Sequence, residues 1–133
     1  MIDQMWLQPV VHLWVGTAVL ATTLLSSILT LIYALRKRPL NSLIYGALLL
    51  AQLSLMVQTL IGIKLLDQGL GPLQLYIHYL GGLGALFFYV LFYWLPDSLK
   101  HKRWTASSLS SLGFLFAFMA YTIGSMYVAQ GSA

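Results

Sequence analysis

Apolar positions fall into four long runs separated by short polar breaks, at Pro9–Leu35, Asn41–Leu66, Pro72–Leu95 and Thr105–Ala129. Each run is about 24–27 residues long, enough at ~1.5 Å per residue to cross a hydrocarbon layer of ~30 Å with some tilt. The breaks are Arg36-Lys37-Arg38-Pro39-Leu40, Asp67-Gln68-Gly69-Leu70-Gly71 and the stretch from Pro96 through Trp104. Pro9 and Pro72 open their runs, where a missing N–H costs nothing. Pro39 and Pro96 follow run ends and act as stops. Connections this short force each helix to lie beside the next. The pattern predicts an all-α polytopic membrane protein, a single four-transmembrane-helix up-down-up-down bundle over residues 1–133.

Composition points the same way. Hydrophobic residues make up 59% of the chain and charged residues 8%, against about 25% charged in soluble domains. No hydrophilic stretch is long enough to build a second, soluble domain. Charge then orients the bundle. Of the seven Lys and Arg, six lie in the first and third breaks, as Arg36, Lys37, Arg38, Lys100, Lys102 and Arg103. The second break has only Lys64 nearby, offset by Asp67. The positive-inside rule places the first and third loops in the cytoplasm and both termini outside. Trp6 and Trp14 then belong to the outer interfacial belt, and Trp94 and Trp104 to the inner one. The net charge of +4 is thereby a topology signal, with the lipid bilayer as partner and no nucleic acid. The expected location is a bacterial inner (plasma) membrane. The segment Met1-Ile2-Asp3-Gln4-Met5-Trp6 lacks a basic region and runs into an apolar stretch too long for a signal peptide, so it reads as mature protein.

Little chemistry is left to distribute. The chain has no Cys and no Glu, which removes disulfides, thiolate metal sites and a thiol nucleophile. Asp3, Asp67 and Asp97 all lie at or beyond the ends of the runs. Proton-coupled transport and paired-carboxylate or triad catalysis therefore have no residues to work with, and no catalytic activity of its own is expected. Two histidines remain inside helices. His12 lies about one turn into the first and His78 nearly two turns into the third. These helices run parallel and are diagonal partners in a simple bundle, so both imidazoles fall at similar depth in the outer leaflet. With neighbours ~8–10 Å apart, the diagonal axes stand about 11–14 Å apart. Two imidazoles would bridge that gap through one iron in a flat macrocycle, being too far apart to meet directly. The expectation is haem b with His12 and His78 as axial ligands.

The surroundings fit that expectation. His12-Leu13-Trp14-Val15-Gly16 and His78-Tyr79-Leu80-Gly81-Gly82 both read H-x3-G, which puts a glycine one turn beneath each imidazole on the same face. Gly16 and Gly82 would make room for a porphyrin edge, with Gly84 and Ala85 extending the small face. Gln58 and Gly62 from the second helix, and Gly124 and Ser125 from the fourth, join the layer. Plainer readings stand beside this one. Glycine also serves close helix packing, and intramembrane His or Gln, here including Gln52, also hydrogen-bonds across helices. His101 reads as a solvated loop residue, Met56, Met119 and Met126 as core filler, and the Phe87-Phe88-Tyr89 and Phe114–Phe118 aromatics as lipid-facing or packing surface.

The run Gln58-Thr59-Leu60-Ile61-Gly62, a glycine-bearing turn, and then His78 near the start of the next helix resembles a half-bundle of the haem A synthase family. There a Q-x-x-L/I-G helix end precedes a helix with a haem-ligating His, and the preceding helix begins with a His that His12 matches. The resemblance spans roughly Val11 to Leu95 and implies a b-type haem held by His12 and His78 near the outer surface. The family has eight helices, often an Arg where Leu13 stands, a membrane carboxylate and, in bacteria, loop cysteines. This chain has none of these, so the resemblance implies the haem site without the oxidation of haem. Small four-helix b-type cytochromes match the same residues equally well.

The leading expectation is thus a small membrane cytochrome b for electron transfer or haem handling, with Gln58 tuning the site and Lys64 the only base near a propionate. It would work with a redox partner or within a larger membrane complex. The alternatives are a cofactor-free accessory or structural subunit of such a complex, and a subunit whose histidines each bind a (bacterio)chlorophyll magnesium.

Overall fold

Helix ends in this chain are set by a few residues with clear backbone roles. Pro9 takes the first turn of α1 (Pro9–Leu35), where it forfeits no hydrogen bond. At the other end Lys37 N–H bonds Ala34 O and Arg38 N–H bonds Tyr33 O. This paired closure needs a left-handed residue, and Lys37 supplies it at φ 54°. The Asn41 side chain accepts the Ile44 N–H at 3.3 Å and starts α2 (Ser42–Asp67). Helix α2 closes in the same way as α1, with Gly69 at φ 73° and bonds from Gly69 N–H to Leu66 O and from Leu70 N–H to Leu65 O. The same turn thus uses glycine at one end of the bundle and lysine at the other. The lysine costs about 1 kcal/mol more.

The structure, a computed structural model, describes residues 6–70 and 76–131. It continues with α3 (Tyr76–Trp94), a single-turn α4 (Asp97–Lys100) and α5 (Arg103–Gly131). The expected start of the third helix at Pro72 lies outside the described residues. The third break contains the single turn α4. Pro96 caps it, and Lys100 Nζ lies 2.8 Å from Asp97 Oδ1, three residues back. Helix α5 accordingly begins at Arg103, two residues before the expected Thr105. Four helices, α1, α2, α3 and α5, are long and apolar enough to cross a membrane. The protein is an integral, multi-pass, all-α four-helix bundle.

Helix α1 packs against α2 and α5, and α3 packs against α5, whereas α2 and α3 touch least. This ring puts α1 and α3 on one diagonal, as short connections demand. The apolar core gathers Ile44, Leu48, Ala51 and Leu55 from α2 with Ala85, Tyr89 and Phe92 from α3. The α1–α5 interface is instead a seam of small hydroxyls. Thr30 meets Ser110 at 2.7 Å and Ser27 meets Ser111 at 3.0 Å. Ser26 bonds the buried Tyr89 hydroxyl, which crosses from α3. Small residues here let backbones approach, and their hydroxyls bond across the contact.

The exposed surface is that of a membrane bundle. Trp6 and Trp14 at one end and Trp94 and Trp104 at the other are all more than half exposed. Two methionines depart from expectation. Met56 and Met126 face outward and fill no core. Small residues take the α1–α5 contact and branched or aromatic ones the α2–α3 core, which leaves these two methionines at the surface.

Candidate functional site

The helix ends opposite the basic loops hold both membrane histidines. His12 sits on the first turn of α1 and His78 on the first turn of the described α3. Their ring centroids are 5.9 Å apart and the planes cross at 61°. The imidazoles therefore come together across the bundle with their planes steeply inclined, which corrects the expectation that they stand too far apart to meet. A helix with its side chains has a radius of ~5–6 Å. Two inward side chains together span ~10–12 Å, comparable to the diagonal itself, and glycines at the contacts narrow it further.

Hydrogen bonds position each ring. Gln58 Nε2 lies 3.0 Å from His12 O and 3.2 Å from His12 Nε2. A carbonyl oxygen only accepts, so the atom facing it is the amide NH₂, and its second hydrogen goes to the Nε2 lone pair. His12 therefore carries its proton on Nδ1. That Nδ1–H is buried without an acceptor, and Gln58 Oε1 is buried without a donor. His78 Nδ1 lies 2.8 Å from the Ala120 carbonyl and donates to it, which leaves Nε2 as the nitrogen outside that bond. A ligating histidine is commonly oriented in just this way, its other N–H on a backbone carbonyl.

The expected glycines divide into two kinds. A side chain on Gly16 would meet Gln58 Nε2 at 3.1 Å and the Tyr121 ring at 3.6 Å, so the amide already fills that space. One on Gly62 would meet the His12 ring at 3.3 Å, and one on Gly124 the His78 ring at 3.0 Å. Only Gly82, one turn below His78, looks onto space with no atom within 4 Å. Ser125 is absorbed by Thr122 O at 2.9 Å, and Lys64 by Asp67 at 2.7 Å. Lys64, expected as the only base near a propionate, is engaged by the Asp67 that offsets it in the sequence.

Two residues at this site had not been anticipated. Tyr121 from α5 closes the floor over Gly16 and lies 3.4 Å from Thr17 Oγ1. Ala120 contributes through its carbonyl alone, which no side-chain pattern announces. His101, expected as a solvated residue, is exposed but bonded, with Nδ1 2.8 Å from the Tyr45 hydroxyl.

Chemically the layer offers two imidazoles and one amide. Among the described residues no group of three or more His, Cys, Asp or Glu could hold a metal ion. A bare ion would want three or four protein ligands, so a metal suited to this pair brings most of its ligands with it. The chain matches no family model, curated protein or solved structure.

Proposed function

We propose that this protein binds one b-type haem through His12 and His78 and serves electron transfer or haem handling in a respiratory membrane. One observation carries the reading, the 5.9 Å centroid separation of imidazoles from diagonal helices. Two imidazoles on opposite sides of one metal, each with a metal–nitrogen distance of ~2.0–2.1 Å, have centroids about 6 Å apart. The Ala120 carbonyl on His78 Nδ1 and the open space at Gly82 are further support. Held by His12 and His78, haem would supply a one-electron iron couple suited to electron transfer.

The chain's own part is to orient and to insulate. Ala120 holds His78 by Nδ1 and leaves Nε2 outside that bond. His12 becomes available when the Gln58 amide moves off its Nε2, which frees that nitrogen and opens the room over Gly16. The surrounding apolar helices keep water and charge away, the setting that tunes a buried centre. Under this reading the basic loops face the cytoplasm, the histidine end faces outward, and the membrane is the inner membrane of a bacterium, with a redox partner or larger complex alongside. The residues are those that give the resemblance to a haem A synthase half-bundle.

One observation favours a second reading, a cofactor-free accessory subunit. Gln58 closes over Gly16 and bonds His12 twice, as interhelical glue does. A single experiment separates the two. Protein is purified in detergent from cells with ample haem supply, and oxidised and dithionite-reduced spectra are compared for wild type, His12→Ala and His78→Ala. A reduced α-band that disappears in both variants is expected. A colourless wild-type protein overturns the haem reading and leaves the accessory subunit.

A further inference from the structure

The two basic loops enclose a cleft of about 510 Å³ at the end of the bundle away from the histidines. Lys37 and Arg38 line it from the end of α1, and His101, Lys102, Arg103 and Trp104 from the α4–α5 junction. Arg36 and Lys100 belong to the same loops but stay off its walls. Lys100 is neutralised by Asp97, whereas among the described residues the four cations of the cleft have no carboxylate partner. Membrane topology asks only that basic residues lie on this side. It does not ask them to converge on a cavity.

Three features of the cleft go further. Arg103 lines the cleft, and its Nε is buried with no acceptor from the protein, so this guanidinium is not satisfied by the chain's own groups. Helix α5 starts here with no acidic residue in its first turn. Its first described intrahelical bond runs from Ala106 N–H to Lys102 O, which leaves the amides of Arg103, Trp104 and Thr105 for an outside acceptor. Finally, Lys37 sits in the left-handed conformation that Gly69 takes in the matching turn of α2. A cation is kept at a position where backbone geometry favours glycine.

We infer that this cleft binds the phosphoryl group of an anionic phospholipid. Guanidinium, ammonium and helix-start amides together match a tetrahedral, multiply accepting anion. The depth points to a lipid as its source, since Trp94 and Trp104 at the same end are exposed at 78% and 53%, as residues of a headgroup belt are. The His101 ring, held by Tyr45 at 2.8 Å, adds a fixed polar edge.

The test is native mass spectrometry of the full chain in detergent, delipidated and then given phosphatidic acid, phosphatidylglycerol or phosphatidylcholine at equal concentration. A separate arm adds inorganic phosphate as competitor. Wild type is expected to retain one anionic lipid at least about tenfold better than phosphatidylcholine. Lys37→Gly and Lys102→Gln should each weaken retention about fivefold, the weight of one basic residue at an anionic membrane surface. Lys37→Gly also relaxes the turn, so a loss of binding there cannot come from misfolding, and circular dichroism checks both variants. Lys100→Gln is the contrast, because a cation already paired with Asp97 should change nothing. Equal retention of all three lipids overturns the inference, as does an equal effect of Lys100→Gln and Lys102→Gln. Displacement of the lipid by micromolar phosphate would make the ligand a soluble anion and overturn the lipid assignment.

Discussion

The hydroxyl seam between α1 and α5 and the histidine layer treat buried polar groups in opposite ways. In the seam, Thr23, Ser26 and Thr30 each donate to a carbonyl three or four residues back and reach a second partner or a tight contact besides. In the histidine layer, His12 Nδ1 and Gln58 Oε1 are buried with nothing opposite them. The difference begins in side-chain chemistry. A serine or threonine in a helix brings its own acceptor, the carbonyl of the preceding turn, so a hydroxyl seam satisfies itself even before helices meet. Histidine and glutamine reach too far for that and depend on whatever comes from elsewhere. A buried orphan costs about 1–3 kcal/mol. The histidine layer therefore carries a cost that the seam does not, and such departures concentrate where a protein binds something.

The sharpest way to test the contrast is to add one methyl group to each region. A side chain at Gly113 would lie 2.5 Å from the Tyr89 ring, which is 1% exposed and tied to Ser26. Gly113→Ala should lower stability by about 1–3 kcal/mol, the range for overpacking a filled core. At Gly124 the same methyl meets Cε1 and Nδ1 of the half-buried His78 ring, both at 3.0 Å, and a half-buried ring has more room to give way than the buried Tyr89. Gly124→Ala should therefore lose much less. Thermal unfolding in detergent, followed by circular dichroism, compares them, and equal losses would mean that the two regions are packed alike.

The parts of this architecture legible in the sequence are those that depend on periodicity and on chain stops. Helix α1 spans the residues its apolar run marks out, and α2 shifts by only one residue at each end because Asn41 caps the helix from outside it. The histidine pair was legible as a diagonal at matched depth, since short loops leave no other ring order. Its contact was not, because that depends on side-chain reach and on how closely glycines let helices approach. The seam could have been found. Thr22-Thr23, Ser26-Ser27 and Thr30 recur at three- and four-residue spacing on α1, and Ser107-Ser108 and Ser110-Ser111 mirror them on α5. Hydroxyls in an apolar run pass easily for neutral filler, and only the facing helix shows that they pair. The convergence of the basic loops was illegible for a similar reason, since α4 turns the chain back within the third break.

A smaller effect comes from removing a polar group from each region without changing volume much. Tyr89→Phe takes the hydroxyl from Ser26 and should cost about 0.6–1.7 kcal/mol, the range for interhelical hydrogen bonds in membranes. Gln58→Leu removes the orphaned Oε1 together with its amide and should cost nothing, or stabilise the haem-free protein. The same unfolding measurement reads both variants. A loss at Gln58 matching that at Tyr89 would show that the amide's two bonds to His12 outweigh its unpaired oxygen, and would move the balance toward the cofactor-free reading.

The smallest effect belongs to the one carboxylate at the basic end. The Asp97 carboxyl is held below its usual pKa of 3.8, first by the hydrogen bond from Lys100 and then by its charge. A carboxylate whose pKa is lower folded than unfolded adds stability above the unfolded value. It loses that contribution as pH falls through the folded one. The shift lies wholly below pH 4, and Asp97 is exposed to solvent that screens the pair. Melting temperatures should therefore be indistinguishable between wild type and Asp97→Asn from pH 5 to pH 8. The substitution nonetheless frees Lys100 next to a cleft that already gathers four unpaired cations. If the added charge tightens anionic-lipid retention while stability stays flat, this end of the bundle is arranged for a ligand's charge. If retention stays flat as well, the walls of the cleft, and not the loop's total charge, set its affinity.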